Sequence, residues 1–142
     1  MKIVIMIILS FFLSRSCDKQ LNEEMKKSTI EYQALSRGYF LNITIQDEKL
    51  SIIDKRDGKS RDYKLTKRDW KELADLYKFV KVEKIPTYKA PTEKRFYDGA
   101  AIANLKVIYK DKTYETSAFD HGYPPAEIKK IVDKINSFAK KE

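Results

Sequence analysis

Apolar and polar side chains alternate along several short stretches, and this alternation limits the fold more than any other feature of the sequence. Within residues 39–46, Leu41, Ile43 and Ile45 are separated by polar residues, and residues 101–109 carry apolar side chains at every second position. Successive side chains of a strand point to opposite faces, so each stretch predicts a strand with one buried and one solvated face. Such strands are typical of an antiparallel sheet that is covered on one side.

Strand and helix patterns together predict an α+β domain. Strand patterns cover residues 28–35, 39–46, 49–54, 61–65, 101–109 and 113–119, with a further short one at 80–85. Helices are predicted at residues 67–79, after the N-cap residue Thr66, and from Pro124 to Phe138, because apolar side chains recur there at helical spacing. We therefore expect one antiparallel sheet of five to six strands, in hairpins followed by helices, with two helices packed on one face. Residues 21–35 also fit a helix, and the β-branched centre of that stretch favours the strand.

Length and cysteine content bound the domain organisation. The chain has 142 residues and one cysteine, which suits a single domain without an internal disulfide or a multi-thiolate metal site. Residues 17–27 are mostly polar and indicate a lipid-anchored tether or a short helix, so we expect the folded domain to cover residues 28–142.

The amino terminus has the pattern of a secretory signal peptide. Lys2 precedes an apolar run from Ile3 to Leu13, after which the chain turns polar. This run is shorter than the roughly 20 residues that a membrane-spanning helix needs. A basic start, a short apolar centre and small residues before a break in composition are typical of a cleaved signal, so residues 1–16 are predicted to direct export.

Cys17 stands at the expected cleavage point, where the residues resemble a bacterial lipoprotein signal with a lipidated cysteine. The match departs from the usual pattern, because Ser14 occupies the position where leucine is usual and Arg15 is atypical. Ser14 and Ser16 would equally suit an ordinary signal peptidase, which would leave Cys17 as a free thiol. Lipid on Cys17 would hold the domain at a membrane surface without spanning the membrane.

Five residues near one predicted end of the sheet are candidates for a binding site. Arg95, Tyr97 and Asp98 precede the long strand, and Asp120 and His121 follow the strand that returns from it. A hairpin turn at residues 111–112 would place residue 103 opposite residue 120 and bring the two groups together. The cluster would suit acid-base catalysis, anion binding or metal binding through the imidazole and an aspartate.

The same residues also have a structural interpretation. Arg95 would pair with an aspartate to fasten the loop before the long strand, and Asp120 and His121 would serve as turn and capping residues. One histidine without a recognisable nucleophile favours this interpretation over catalysis.

Several function classes lack their sequence signals. The sequence contains no glycine-rich phosphate loop, paired-histidine helix motif, cysteine pair or glycine-flanked serine, so we predict no cofactor and no bound metal. The formal charge is +8, but 29 basic and 21 acidic residues are interleaved, which speaks against nucleic acid as a partner. The partners we expect are a membrane, through lipid on Cys17, and an envelope protein or an anionic glycan.

Three segments carry a resemblance to a known group of proteins. They are Ser-Arg-Gly-Tyr-Phe at 36–40, Ala-Pro-Thr-Glu-Lys-Arg-Phe-Tyr-Asp-Gly at 90–99 and Phe-Asp-His-Gly-Tyr-Pro-Pro at 119–125. Together with the signal, they make the chain resemble small uncharacterised lipoproteins of Bacteroidetes-type bacteria. The resemblance implies a Gram-negative cell envelope, at the outer membrane or the periplasmic face, and implies no activity.

These observations favour a non-enzymatic binding domain, anchored to a membrane, that presents the loop at 86–99 and the turn at 120–125. The alternative is a small hydrolase or metal-dependent enzyme that uses Arg95, Asp98, Asp120 and His121. A purely structural envelope protein is the third hypothesis.

Overall fold

The computed structural model describes residues 19–20 and 22–140, which form one antiparallel sheet with helices on one face. The strands are β1 (Thr29–Leu35), β2 (Phe40–Gln46), β3 (Lys49–Ile53), β4 (Arg61–Lys64), β5 (Ile102–Tyr109), β6 (Lys112–Glu115) and β7 (Phe119–Asp120). The α-helices are α1 (Lys67–Tyr77) and α2 (Lys129–Phe138), and 3-10 helices cover Val82–Thr87, Lys94–Tyr97 and Ala126–Ile128. No helix of this described part is long and apolar enough to cross a bilayer.

β1 is the central strand of the sheet. Among the described residues the strand order is β4-β3-β2-β1-β5-β6, and β7 pairs with the first residues of β5. β1 is antiparallel to β2 on one side and to β5 on the other along its whole length. The predicted α+β class with an antiparallel sheet is confirmed, and the two-residue β7 is the strand that the patterns did not separate.

The two faces of the sheet differ as the alternation predicts. Tyr32 lies opposite Ile43 and Leu105, and all three are buried beneath the helices. The helices add apolar side chains to this core, among them Trp70, Leu73, Ile131, Val132, Ile135 and Phe138. The other face, here called the open face, carries polar side chains such as Glu31, which forms an ion pair with Lys106 at 3.2 Å.

The folded domain begins earlier than the predicted boundary at residue 28. Residues 22–27 are helical, and Met25 is 1% exposed within the core. Asn22 Oδ1 accepts a hydrogen bond from Trp70 Nε1 at 2.6 Å, which joins this segment to α1. The later part of the predicted tether 17–27 is therefore part of the domain, whereas the predicted signal peptide 1–16 and Cys17 lie outside the described residues.

The predicted short strand at residues 80–85 is wrong. Residues 82–87 form a 3-10 helix, in which Lys84 N donates to Lys81 O at 2.8 Å. Val80 and Ile85 are both buried, and an extended strand would point side chains five positions apart to opposite faces. A helical turn buries both.

The return from β5 differs from the predicted hairpin by one residue. The turn consists of Lys110 and Asp111, with φ of 50° and 60°, as in a two-residue type I′ turn. Beyond this turn the returning chain contains one extra residue. Lys106 pairs with Glu115 and Ala103 pairs with Phe119, so three residues along β5 correspond to four along the returning chain. Asp120 therefore lies opposite Ile102 rather than residue 103, and a one-residue change of register moves a side chain to the other face.

Candidate functional site

Asp120 fastens the loop at residues 92–99, which we call the aromatic loop, to the end of the sheet. Its side chain is completely buried. Asp120 Oδ2 accepts hydrogen bonds from Thr92 Oγ1 at 2.5 Å and from Lys94 N at 2.7 Å. Asp120 Oδ1 accepts one from Arg95 N at 2.9 Å and one from the Arg95 guanidinium at 3.2 Å.

These contacts stabilise the ionised form of Asp120. Burial alone would raise the pKa of the carboxyl, but the hydrogen bonds from Thr92, Arg95 and Lys94 outweigh burial and lower the pKa from 3.8 to about 2. Four donors occupy the acceptor positions of the two carboxylate oxygens. Asp120 therefore anchors the loop and has no lone pair free to serve as a general base.

His121 lies in the turn directly after β7 and points away from Asp120. Asp120 lies opposite Ile102, which is exposed on the open face, whereas His121 contacts Tyr32 on the helix-covered face. Its Nδ1 lies 2.7 Å from Tyr32 Oη and its Nε2 lies 3.2 Å from Tyr39 Oη. The backbone N–H of His121 donates to Ala101 O at 2.9 Å, which holds the residue against the start of β5. His121 thus links β1, the β1–β2 turn and β5.

Both ring nitrogens of His121 are hydrogen-bonded to tyrosine hydroxyls. Burial raises the pKa of Tyr32 to about 12, although a hydrogen bond with Asn136 lowers it in part, so the phenol keeps its proton at neutral pH. In the neutral imidazole one ring nitrogen donates and the other accepts, so His121 donates to one of the two tyrosine hydroxyls and accepts from the other. Burial lowers the pKa of His121, so the imidazole is neutral and both its nitrogens are occupied.

The side chains at the tip of the aromatic loop face solvent. Phe96 and Tyr97 are each 72% exposed. The Arg95 guanidinium lies 4.4 Å from the Phe96 ring centre, and Lys94 Nζ lies 3.9 Å from the Tyr123 ring centre. The loop therefore presents aromatic rings with cations beside them, which is the side-chain chemistry of many protein-contact surfaces.

The five predicted site residues separate into three groups. Arg95 and Asp120 meet in an ion pair, as the structural interpretation expected. Tyr97 and Asp98 are exposed, and Asp98 ends the 3-10 helix in the left-handed conformation with φ of 59°. His121 contacts tyrosines instead of the Arg95–Asp120 pair. Within the described ranges, no group of three histidine, cysteine, aspartate or glutamate residues could hold a metal ion.

Sequence reasoning missed four residues of this region: Thr92, Tyr32, Tyr39 and Asn136. No local pattern marks Thr92, whose role depends on a carboxylate 28 positions away. Tyr32 had the signal of a buried strand residue, and the correct hairpin register would have placed it on the same face as His121. Asn136 Oδ1 is buried without a hydrogen-bond partner among the described residues, so this polar cluster is not fully satisfied.

The chain was compared with known proteins at the level of sequence families, individual proteins and structures. No family model matches it, and no curated protein or solved structure does.

Proposed function

We propose that the chain is an exported, lipid-anchored protein of the bacterial cell envelope whose domain binds a partner through the aromatic loop and Tyr123. The observation that carries this proposal is the pair Phe96 and Tyr97, which are largely exposed on a loop held by the fully buried Asp120. Exposed apolar side chains that lie together, especially beside polar residues, are typical of interaction sites.

The loop is suited to binding because its order is already present before a partner arrives. Backbone and side-chain groups of Thr92, Lys94 and Arg95 are bound to one carboxylate, so little conformational entropy remains to be lost at the base of the loop. Rigid aromatic side chains beside arginine are the groups most often found at the energetic centre of an interface. An envelope protein is the partner that this chemistry favours, and an anionic glycan is the alternative because Lys94 and Arg95 are cationic.

Export and anchoring rest on the amino-terminal pattern, in which Lys2, the apolar run and Cys17 follow one another. The hydrolase or metal-enzyme alternative receives less support from the site. Asp120 and His121 face opposite sides of the sheet, and the hydrogen-bonding groups of both are already engaged.

Photocrosslinking in a Gram-negative host tests the binding surface. The full chain would carry a photoreactive amino acid at position 97, or at position 63 as the control, because Tyr63 is also an exposed tyrosine, at 41%, but lies in β4 at the far edge of the sheet. We expect discrete crosslinked species from position 97 and none from position 63. Adducts that yield peptides of a second protein identify a protein partner, and adducts that glycan hydrolases convert back to the free chain identify a glycan. Equal patterns at the two positions would refute the proposed surface.

Metabolic labelling with a clickable fatty acid tests the anchor separately. We expect label on the wild-type chain and none on Cys17→Ser. An unlabelled wild-type chain would refute lipid anchoring and leave the crosslinking result unaffected.

A further inference from the structure

A cavity of about 560 Å³ opens beside the β5–β6 turn, at the end of β5 remote from the aromatic loop. The end of α1, the 3-10 helix Val82–Thr87 and the turn itself surround it. Five lysines line it: Lys78, Lys81, Lys84, Lys110 and Lys112. The acidic residues in the lining are Glu24 and Glu83, and Asp111 lies at the tip of the turn, so positive charge prevails.

Three lysines of this cavity, which we call the lysine cavity, have no ion-pair partner among the described residues. Within the described part of the chain, no carboxylate forms an ion pair with Lys81, Lys84 or Lys112, whereas Lys134 on the helix layer contacts Asp69 and Glu72 at 3.0 and 2.5 Å. Holding several like charges in one concave surface is unfavourable unless an anion joins them.

Aromatic and apolar groups accompany these lysines. Tyr109 and Tyr114 form part of the lining and are partly buried. Phe79 follows Lys78 directly and is 73% exposed, the most exposed of the large apolar side chains described. Lysines with an adjacent exposed aromatic ring are typical of surfaces that lie on the interface of a lipid bilayer.

We infer that the lysine cavity docks the domain onto an anionic lipid bilayer by binding lipid headgroups. The inference rests on the proposed location in the cell envelope. It identifies a partner for a second surface of the domain, distinct from the aromatic loop. Glu24 lines the cavity and Cys17 precedes it by seven residues, so the Cys17 Cα lies within about 25 Å of the Glu24 Cα in any conformation. A lipid on Cys17 therefore keeps the cavity close to the bilayer, where each lysine strengthens binding by up to about fivefold.

Docking in this way leaves the aromatic loop free for its own partner. β5 begins at Ile102, opposite Asp120, and ends at Tyr109 in the cavity lining. At about 3.4 Å per residue the strand separates the two surfaces by about 24 Å. One end of the sheet faces the bilayer and the other end faces away from it.

The test measures binding to vesicles without a covalent lipid. The chain used starts at residue 17 and carries Cys17→Ser. It keeps the whole described core, which runs from Met25 to Phe138. Cooperative unfolding of this chain in urea is verified first. Co-sedimentation compares vesicles that contain phosphatidylglycerol with vesicles of phosphatidylcholine alone. The cavity variant is Lys81→Gln, Lys84→Gln and Lys112→Gln, and the matched control is Lys55→Gln, Lys59→Gln and Lys89→Gln, all on exposed residues.

We expect binding to phosphatidylglycerol vesicles that falls at least about tenfold in the cavity variant and less than about twofold in the control variant. Equal losses in the two triple variants, or equal binding of the parent chain to neutral vesicles, would overturn the inference. Displacement of the parent chain by inorganic phosphate at constant ionic strength would assign the cavity to a soluble anion and also overturn it. Failed fatty-acid labelling or crosslinking would count against the proposed function and not against this result.

Discussion

Replacing Asp120 with asparagine should release the aromatic loop while leaving the core intact. The carboxylate accepts from Thr92 Oγ1, Lys94 N, Arg95 N and the Arg95 guanidinium. The asparagine oxygen can accept the hydrogen bonds made to one of the two carboxylate oxygens. The NH₂ group then faces the donors that were bound to the other carboxylate oxygen. The Thr92 hydroxyl can reverse its role, whereas a backbone N–H cannot, so at least one buried donor loses its acceptor.

The lowered pKa of Asp120 sets the magnitude. A fall from 3.8 to about 2 corresponds to about 2 kcal/mol in favour of the folded state with ionised Asp120. Because the folded-state pKa is the lower one, this contribution is complete well above pH 3.8 and is lost as the pH falls through the folded-state pKa. The free energy of unfolding of the wild-type chain should therefore exceed that of Asp120→Asn by about 2 kcal/mol at pH 7, about 1 kcal/mol at pH 3 and less than about 1 kcal/mol at pH 2.

Urea unfolding between pH 7 and pH 2 measures this difference directly. Asp98→Asn is the control, because Asp98 is exposed and asparagine tolerates its left-handed conformation, and it should change the free energy of unfolding by less than about 0.5 kcal/mol. Hydrogen exchange at the Lys94 and Arg95 amides should accelerate up to about fiftyfold in Asp120→Asn. A stability difference that stays constant from pH 7 to pH 2, with unchanged amide exchange, would refute the assigned role of the carboxylate.

Three further predictions concern the rest of the domain. The NMR titration midpoint of His121 should lie below 6.5, because burial lowers its pKa. The free energy of unfolding should therefore fall as the pH drops from 6.5 through that midpoint. A midpoint above 6.5 would contradict the prediction. Met25→Ala should lower the free energy of unfolding by about 2–5 kcal/mol in urea titrations, and no loss would exclude residues 22–27 from the cooperative unit. Gly122→Ala should cost about 1–2 kcal/mol because φ is 91°, whereas Gly38→Ala, which meets no atom within 4 Å, should cost less.

The strands and helices were predictable because their alternation and helical spacing are local properties of the sequence. The stretch 21–35 shows the limit of this signal, since it fitted both a helix and a strand; the chain is helical over 22–27 and extended in β1. The choice required knowledge that β1 pairs with two strands, one of which lies more than 60 residues later in the chain.

The hairpin register was not predictable, and the candidate site depended on it. A type I′ turn is usually marked by asparagine or glycine, and here it is made by Lys110 and Asp111. The extra residue near Thr116, whose Oγ1 accepts from Leu105 N at 3.0 Å, also lacks a glycine signal. The predicted pairing of Arg95 with an aspartate is correct despite this error, because an ion pair at the end of a sheet requires only that the two residues lie close together. The predicted contact of His121 with Asp120 is wrong, because it also required both side chains on one face of the sheet.

The opposite orientations of Asp120 and His121 explain why adjacent residues can stabilise two different parts of one surface. Asp120 holds the aromatic loop, and His121 holds Tyr39 of the β1–β2 turn, with ring centres 5.1 Å apart. If a partner binds the loop, Asp120→Asn should weaken binding by no more than about fiftyfold, because only the ordering of the loop is lost. Tyr97→Ala removes a contact instead, so its effect should persist at low pH, whereas the effect of Asp120→Asn should fall to about twofold at pH 2. An Asp120→Asn effect on binding that is as large at pH 2 as at pH 7 would mean that Asp120 itself touches the partner.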